Sequence, residues 1–572
     1  MQKTMMTGGS VISKALKKYD INTVFSLAGA SHTYLLDALE KEKFNIILSR
    51  HETGTVGAAD GFARVTRKIG VALIVSDQGI PNAITGILSS YEACSPVLII
   101  TVRRLTGSLE SHSAIDHEKL DLVKSITKWS RTVYDPNRLQ EYINTAYRHA
   151  ISGRKGPVVL QVPQEFLKMN IDLNNNILDK ITIPKPASIS DKLLSQFINL
   201  INESSKPLII VGSGAYWSDA GEELRNLSSS LSIPVFGNAM GRGLVNEDDK
   251  LGWSWAYAQS AAKSADLIVC IGVRLTQRLG YGLEPKFSKE AKFIQIDIQP
   301  EEIGRNRYID LPIVADVKNC LLAINTFVKE NDIISKSSPD WVNKELEENK
   351  KFMDSIPNNN KKNIHPYQIA RELMKQFPNN AIYVGDGADI QNWMHAYLRV
   401  NKEGVYIDHY PLGSMGIGTP LAIGVAAGLR ELSKGDKSKE RPIIHVTGDG
   451  AFGFYLSEYN AAAVLNYNIT TIISNDGAWG TEKHGQRIAI NKDVNTTFGD
   501  INYSLIAKGF GCYSEHLTTE DQIRPSLQRA LAYQGPSVLD IVTDPEAGSL
   551  RKLDPRVQTV QFTNFEQIRK NN

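Results

Sequence analysis

The stretch Ile443-Ile-His-Val-Thr-Gly-Asp-Gly-Ala-Phe-Gly-Phe454 reads as a buried strand, IIHV, that runs into Gly448-Asp449-Gly450 and on into a helical pattern. A strand ending this way puts a carboxylate and free backbone N–H groups at the carboxyl edge of a sheet, where α/β folds bind phosphates. Alone, Gly-Asp-Gly is equally the mark of a tight turn. The next apolar run, Thr470–Ser474, leads into Asn475-Asp476-Gly477, with Asn475 lying 26 positions after Asp449 (449 to 475). Neighbouring parallel strands joined by one crossover helix bring their carboxyl ends side by side. Asp449 and Asn475 are therefore expected to converge. Mg²⁺ takes octahedral oxygen coordination from one or two protein side chains plus phosphates and water. Asp449, Asn475 and the carbonyl of Gly477 would hold one against a diphosphate.

Working outward, short β-branched runs alternate with helical patterns in three sets. The first holds 46–49, 71–76, 97–101 and 158–162; the second 207–212, 266–272 and 293–298; the third 381–387, 443–450, 470–476 and 538–543. This alternation predicts an α/β chain of three consecutive doubly wound parallel-sheet domains. Residues 170–190, with NNN and PKP, and 329–363, with SKSSPD and PNNNKK, read as linkers. The domains are then 1–180, 191–330 and 364–572, with a surface helix over Trp341–Met353 inside the second linker. The first and third units have similar size and texture, which permits a shared ancestral fold.

A length of 572 residues suits three or four such units. Lys+Arg at 64 and Asp+Glu at 62 leave a net charge of +2, so no bulk field draws the chain to nucleic acid or to an anionic membrane. Cys94, Cys270, Cys320 and Cys512 form no CxxC pair, which argues against a zinc knuckle or disulfide framework and fits a reducing cytoplasm. The apolar runs are about a third of the length that spans a bilayer. The opening MQKTMMTGGSVISKALKKYD has no signal-peptide core, so the whole chain is expected to be mature cytoplasmic protein.

Further motifs carry a resemblance. They are Arg50-His51-Glu52-Thr53-Gly54 with AADGFAR at 58–64, Ser76–Asn82, Asp386-Gly387-Ala388-Asp389-Ile390, and Pro411-Leu-Gly-Ser-Met415-Gly-Ile-Gly418. Together with Gly448–Gly450 and Ser474-Asn475, they resemble the thiamine diphosphate (ThDP) enzymes of the acetolactate synthase, oxalyl-CoA decarboxylase and 2-hydroxyacyl-CoA lyase superfamily. The resemblance implies pyrimidine-binding, central and diphosphate-binding domains in that order. It implies Glu52 as the carboxyl that hydrogen-bonds the aminopyrimidine, and Met415 as the apolar wedge that bends the cofactor. Asn82, Ala388, Asp389, Ile390, Gly448, Gly450 and Ala451 become cofactor contacts, and Asp449, Asn475 and Gly477 the Mg²⁺ ligands. Relatives carry FAD, ADP or nothing in the central domain, where Gly212-Ser-Gly214 and Asp297 are the candidate contacts. A homodimer or homotetramer is implied, acting on a small 2-oxo acid, an aldehyde or ketone, or an acyl-CoA.

His32, in the loop after the first strand, Glu482 and His117 are candidate proton-transfer groups, each balanced by a structural role. Trp479 is a candidate pocket wall. Ser113–Glu118 lacks the Phe-Gln-Glu usual in acetolactate synthases, and Asp476–Gln486 is closer to the CoA-dependent branch. The expected function therefore leans toward 2-hydroxyacyl-CoA lyase or oxalyl-CoA decarboxylase chemistry. The alternatives are an acetolactate synthase-like carboligase or 2-oxo acid decarboxylase and, more remotely, a non-catalytic scaffold, against which Glu52 and Asp449 both stand.

Overall fold

The computed structural model describes residues 5–75, 77–111, 119–172, 181–335, 337–356 and 363–547. Their apolar runs form three six-stranded sheets, parallel throughout. Strands such as Val158–Pro163 and Ile469–Asn475 are buried along their whole length, as expected of parallel sheets covered by helices on both faces.

The N-terminal sheet runs in space Asn45–Leu48, Thr23–Ser26, Gly70–Ile74, Val97–Arg103, Val158–Pro163, Trp129–Thr132. The C-terminal sheet runs Val405–Asp408, Ile382–Gly385, Ile443–Gly448, Ile469–Asn475, Ser537–Val542, Tyr513–Leu517. Counted along the chain, both have the order 2-1-3-4-6-5. The central sheet, from Gly252–Ser254 through Val235–Gly237, Pro207–Val211, Leu267–Ile271 and Lys292–Asp297 to Leu311–Val314, has the order 3-2-1-4-5-6 of dinucleotide-binding folds. Met5–Thr7 pairs antiparallel with Asn170–Asp172 and clasps the ends of the first domain.

The segment expected as a surface helix within a linker is packed instead. Asn343–Ser355 is helical and buries Leu346, Asn349 and Met353, with the Asn349 amide donating to the carbonyl of Tyr257. Leu346 joins the central-domain core and Met353 the C-terminal core, so this helix bonds the two domains together.

The first and last domains meet through two helices, Glu52–Thr66 and Gly418–Leu432, both almost wholly buried. Small residues set their spacing. A Cβ on Gly61 would lie 2.1 Å from the carbonyl oxygen of Leu421, and one on Gly424 would lie 1.8 Å from that of Ala58. Deeper in the same contact, Arg64 forms a buried ion pair with Asp60 and donates to the backbone carbonyl of Asp408 at 2.8 Å. A charge buried with its partner and a further acceptor is held in one position, since losing either leaves it uncompensated. Gly424→Ala should destabilise the chain by at least about 1–3 kcal/mol, because overpacking here displaces backbone rather than a side-chain tip. Urea unfolding tests this, and an unchanged midpoint would show that the helices can separate freely.

Candidate active site

In an open α/β sheet, ligands bind at the carboxyl edge where strand order reverses. In the C-terminal sheet that point lies between Ile382–Gly385 and Ile443–Gly448. A crevice opens there, lined by Gly387–Ile390, Met415, Gly448–Ala451, Ser474, Asp476 and Ala478–Glu482. The helices Asp389–Tyr397 and Asp449–Tyr455 both start at it. Nothing lies within 4 Å of the position a Cβ on Gly448 would take, so backbone is open to a ligand here. The expected contacts Ala388, Asp389, Ile390, Met415, Gly448, Gly450 and Ala451 are thus brought together, with Glu482 exposed on the first turn of Gly480–Ile490 at the rim.

Asp386 shapes this crevice from beneath. Fully buried, its carboxyl accepts N–H bonds from Gly387 at 2.6 Å, Gly416 at 3.2 Å and Gly418 at 2.7 Å. Burial pushes its pKa up to about 7 against the pull of those amides. The bonds fix the glycine-rich turn that presents Met415. Gly416 takes a φ of +91°, a conformation that other residues rarely adopt.

Asp449 is buried, and its Oδ2 accepts the N–H of Gly477 at 2.9 Å. Its neighbour across the crevice is the carboxyl of Asp476. Burial, reinforced by the Asp476 charge, raises Asp449 well above the carboxylate range, and burial lifts Asp476 to about 6. Two carboxyls so placed repel each other when ionised, and the pair is relieved by a proton or a cation. The other two expected metal ligands do not join them. The Asn475 amide donates to the carbonyl of Ile501 at 2.8 Å and to Asp540 at 2.9 Å, and the Gly477 carbonyl accepts the N–H of Phe498 at 3.0 Å. The cause is strand alternation: Ser474 and Asp476 line the crevice, and Asn475 between them faces the adjoining strand. Counting one residue further, from 449 to 476, would have found the pair.

Trp479 covers the floor of the crevice. A Cβ on Gly450 would lie 2.5 Å from its ring, which also meets Phe454 and Phe498 edge-on.

The remaining residues cluster in the N-terminal domain. Glu52 opens its helix, is 3% exposed, and accepts a hydrogen bond from the Asn82 amide at 3.0 Å. His32 is buried in the turn Ala30–His32, and its desolvated imidazole is pulled below its ordinary pKa. Neither Glu52, Asn82 nor His32 lines the crevice of Met415 and Asp449. Ser113–His117 lie outside the described residues.

A second cavity opens at the reversal point of the central sheet, between Pro207–Val211 and Leu267–Ile271. Gly214 packs on Gly272 so closely that a Cβ would lie 2.7 Å from its Cα. The same wall presents Arg154, Trp217, Arg274, Asp297 and Asp316, and burial raises the Asp297 carboxyl.

Among the described residues no helix is long and apolar enough to cross a membrane. Three family models match the chain: "Thiamine pyrophosphate enzyme, N-terminal TPP binding domain" over residues 6–123, the central domain of the same enzymes over 194–324, and their C-terminal TPP binding domain over 386–541. A probable acetolactate synthase large subunit of Methanocaldococcus jannaschii is 29% identical, covering 99% of each chain. An acetolactate synthase of Arthrospira platensis is 28% identical over 94% of each chain. An oxalyl-CoA decarboxylase of Escherichia coli is 27% identical over 97% of this chain and 99% of its own. With three matched domains in the order of its three sheets, the chain belongs to the thiamine diphosphate-dependent enzyme superfamily.

Proposed function

We propose that this enzyme is an acetolactate synthase-like carboligase that binds ThDP through Mg²⁺ and acts on small 2-oxo acids. The observation that carries the cofactor reading is the pair of facing carboxyls, Asp449 and Asp476, at the edge of an open glycine-lined crevice. The expected lean toward CoA thioesters gives way to its alternative. It rested partly on Ser113–Glu118, which lies outside the described residues, and full-length relatives named acetolactate synthase recur at 26–29% identity. Trp479, wedged among Gly450, Phe454 and Phe498, leaves a short crevice suited to a small acid.

Bound ThDP supplies a nucleophilic carbon and an electron sink for making or breaking a C–C bond beside a carbonyl. The chain's own groups divide the remaining work. Asp449 and Asp476 would hold Mg²⁺, in place of the expected Asn475 and Gly477, with the backbone around Ala388–Ile390 and Gly450–Ala451 facing the diphosphate. Met415 would press on the cofactor and fix its bend. Glu52, oriented by Asn82, would hold the proton at N1′ of the pyrimidine, and Glu482 would move a proton to or from the substrate oxygen. The Glu52–Asn82 pair and the metal edge lie in separate places within one chain. A complete site therefore uses Glu52 from a second copy, which makes a homodimer the minimum assembly and admits a homotetramer. The central cavity, with its Gly212–Gly214 turn and Asp297 at a strand end, suits FAD or ADP. Four unpaired cysteines agree with a cytoplasmic setting.

Three results are expected. Pyruvate with ThDP and Mg²⁺ should yield acetolactate, and Glu52→Gln should abolish this; turnover of oxalyl-CoA with none of pyruvate would overturn the carboligase assignment. Protein purified without added nucleotide should release an adenine nucleotide on denaturation, readable by absorbance and mass, whereas Gly214→Val should release none; wild type releasing none and binding none would leave the central cavity structural.

The third concerns the carboxyl pair. The Asp476 pKa is raised from 3.8 to about 6, so its ionisation in the folded state costs stability above that value. The cost vanishes below about pH 4, where folded and unfolded chains are both protonated. Asp476→Asn should therefore raise the melting temperature of metal-free protein at about pH 8 by a few degrees, with the gain fading as pH falls through 6. It should also weaken Mg²⁺-dependent ThDP binding about tenfold, one carboxylate ligand being lost. Equal melting curves across this range, with equal affinity, would exclude Asp476 from the site.

A further inference from the structure

Another buried carboxylate, Glu458, takes no part in the crevice and instead reaches into the other domain. It lies at the end of the turn Leu456–Glu458, directly after the helix that starts at Asp449, and is 2% exposed. The backbone N–H of Arg50 donates to both its oxygens at 3.1 Å, and that of His51 donates to Oε1 at 3.0 Å. The turn it grips is the one that presents Glu52. Space for it is reserved in the sequence, since a Cβ on Gly54 would lie 2.0 Å from Oε1. Tyr455, three residues earlier, sets its ring 5.5 Å from that of His51, whose Nδ1 accepts the N–H of Thr53 at 3.1 Å. Thr53 in turn donates its hydroxyl to the carbonyl of Asn82 at 2.5 Å, tying in the residue that orients Glu52.

We propose that Glu458 is a positioning residue that sets the activating carboxyl of Glu52 and couples it rigidly to the segment beginning at Asp449. The inference rests on the ThDP reading above. Two successive N–H groups converge on Oε1, and that of Arg50 is shared with Oε2; a glutamine would keep the first oxygen but turn an N–H₂ donor toward the Arg50 N–H and give up the negative charge. Burying the charge is costly, as a pKa pushed up to about 7 by desolvation indicates. A cost of this kind is retained where geometry must be held closely. Within one chain, Asp449 and Glu52 serve two different cofactors in a dimer, so the Glu458 contact joins the two active sites through nine residues of backbone (449 to 458).

The test is C2-proton exchange of bound ThDP, measured by quenched deuterium exchange in the Mg²⁺ holoenzyme. Glu458→Gln should slow exchange and kcat by at least about tenfold while changing KM and ThDP affinity less than about threefold. Gly54→Ala, whose methyl displaces Oε1, should reproduce the defect, and the double variant should be no worse than either single one. This second route gives the same readout if Glu458→Gln does not fold. Exchange at the wild-type rate in both variants would overturn the proposal, as would losses of affinity and kcat in parallel with a lowered melting temperature. Glu52→Gln serves as the control: if exchange survives that change, the ThDP activation reading itself fails, whereas its loss there and survival in Glu458→Gln rejects only the coupling.

Discussion

Everything chemical in this chain hangs on the close crossing of Glu52–Thr66 and Gly418–Leu432. The contact is made backbone to backbone, through Gly61 against Leu421 and Gly424 against Ala58, so it has almost no play. One helix begins with Glu52 and the other follows directly on the turn that holds Met415. Packing that tolerates no added methyl thereby fixes, within one chain, the distance between Glu52 and the Met415 turn.

Buried carboxylates do different work according to what satisfies them. Asp386 and Glu458 are each held by several backbone N–H groups and act as struts, one under the Met415 turn and the other behind the Glu52 turn. Asp449 and Asp476 face one another; burial raises both pKa values, and the Asp476 charge adds to the rise at Asp449. Of these four, this is the pair that a proton or a cation would relieve. Burial raises all four, so what separates strut from facing pair is the partner, backbone N–H groups in one case and a second carboxyl in the other, and residues of one type need not share a function.

The sheet edge was legible from Gly448-Asp449-Gly450 because a strand ending in glycine and aspartate leaves few alternatives once a second strand end lies one crossover away. The residue that faces Asp449 was legible only to within one position. Strand side chains alternate, so the choice between Asn475 and Asp476 depends on register at the last strand position, which residue spacing does not resolve. Asn475 went to Asp540 and Ile501 because both lie on its side of the sheet. Glu458 was invisible for a different reason: its partners at Arg50 and His51 are backbone amides some 408 positions away, and amides carry no residue identity to recognise. The helix Asn343–Ser355 looked like linker because its few apolar residues are spent on two separate cores.

The matching strand order of the outer domains sets these residues in equivalent connections. In each, the second strand of the chain leads to the crossing helix: Asn45–Leu48 to Glu52–Thr66, and Val405–Asp408 to Gly418–Leu432. Glu52 and Met415 therefore occupy the same connection in two copies of one topology. The third strand behaves likewise, with Gly70–Ile74 leading to Asn82 and Ile443–Gly448 leading to Asp449. The crossing is the contact of two equivalent helices, so each domain offers its ligand edge in an equivalent orientation while the residues on it differ. Two sheets of one strand order supply two like edges, and a ligand with a charged diphosphate at one end and a neutral aminopyrimidine at the other needs two unlike ones. The different residues at Glu52 and Met415, and at Asn82 and Asp449, make the two edges unlike while the strand order stays the same.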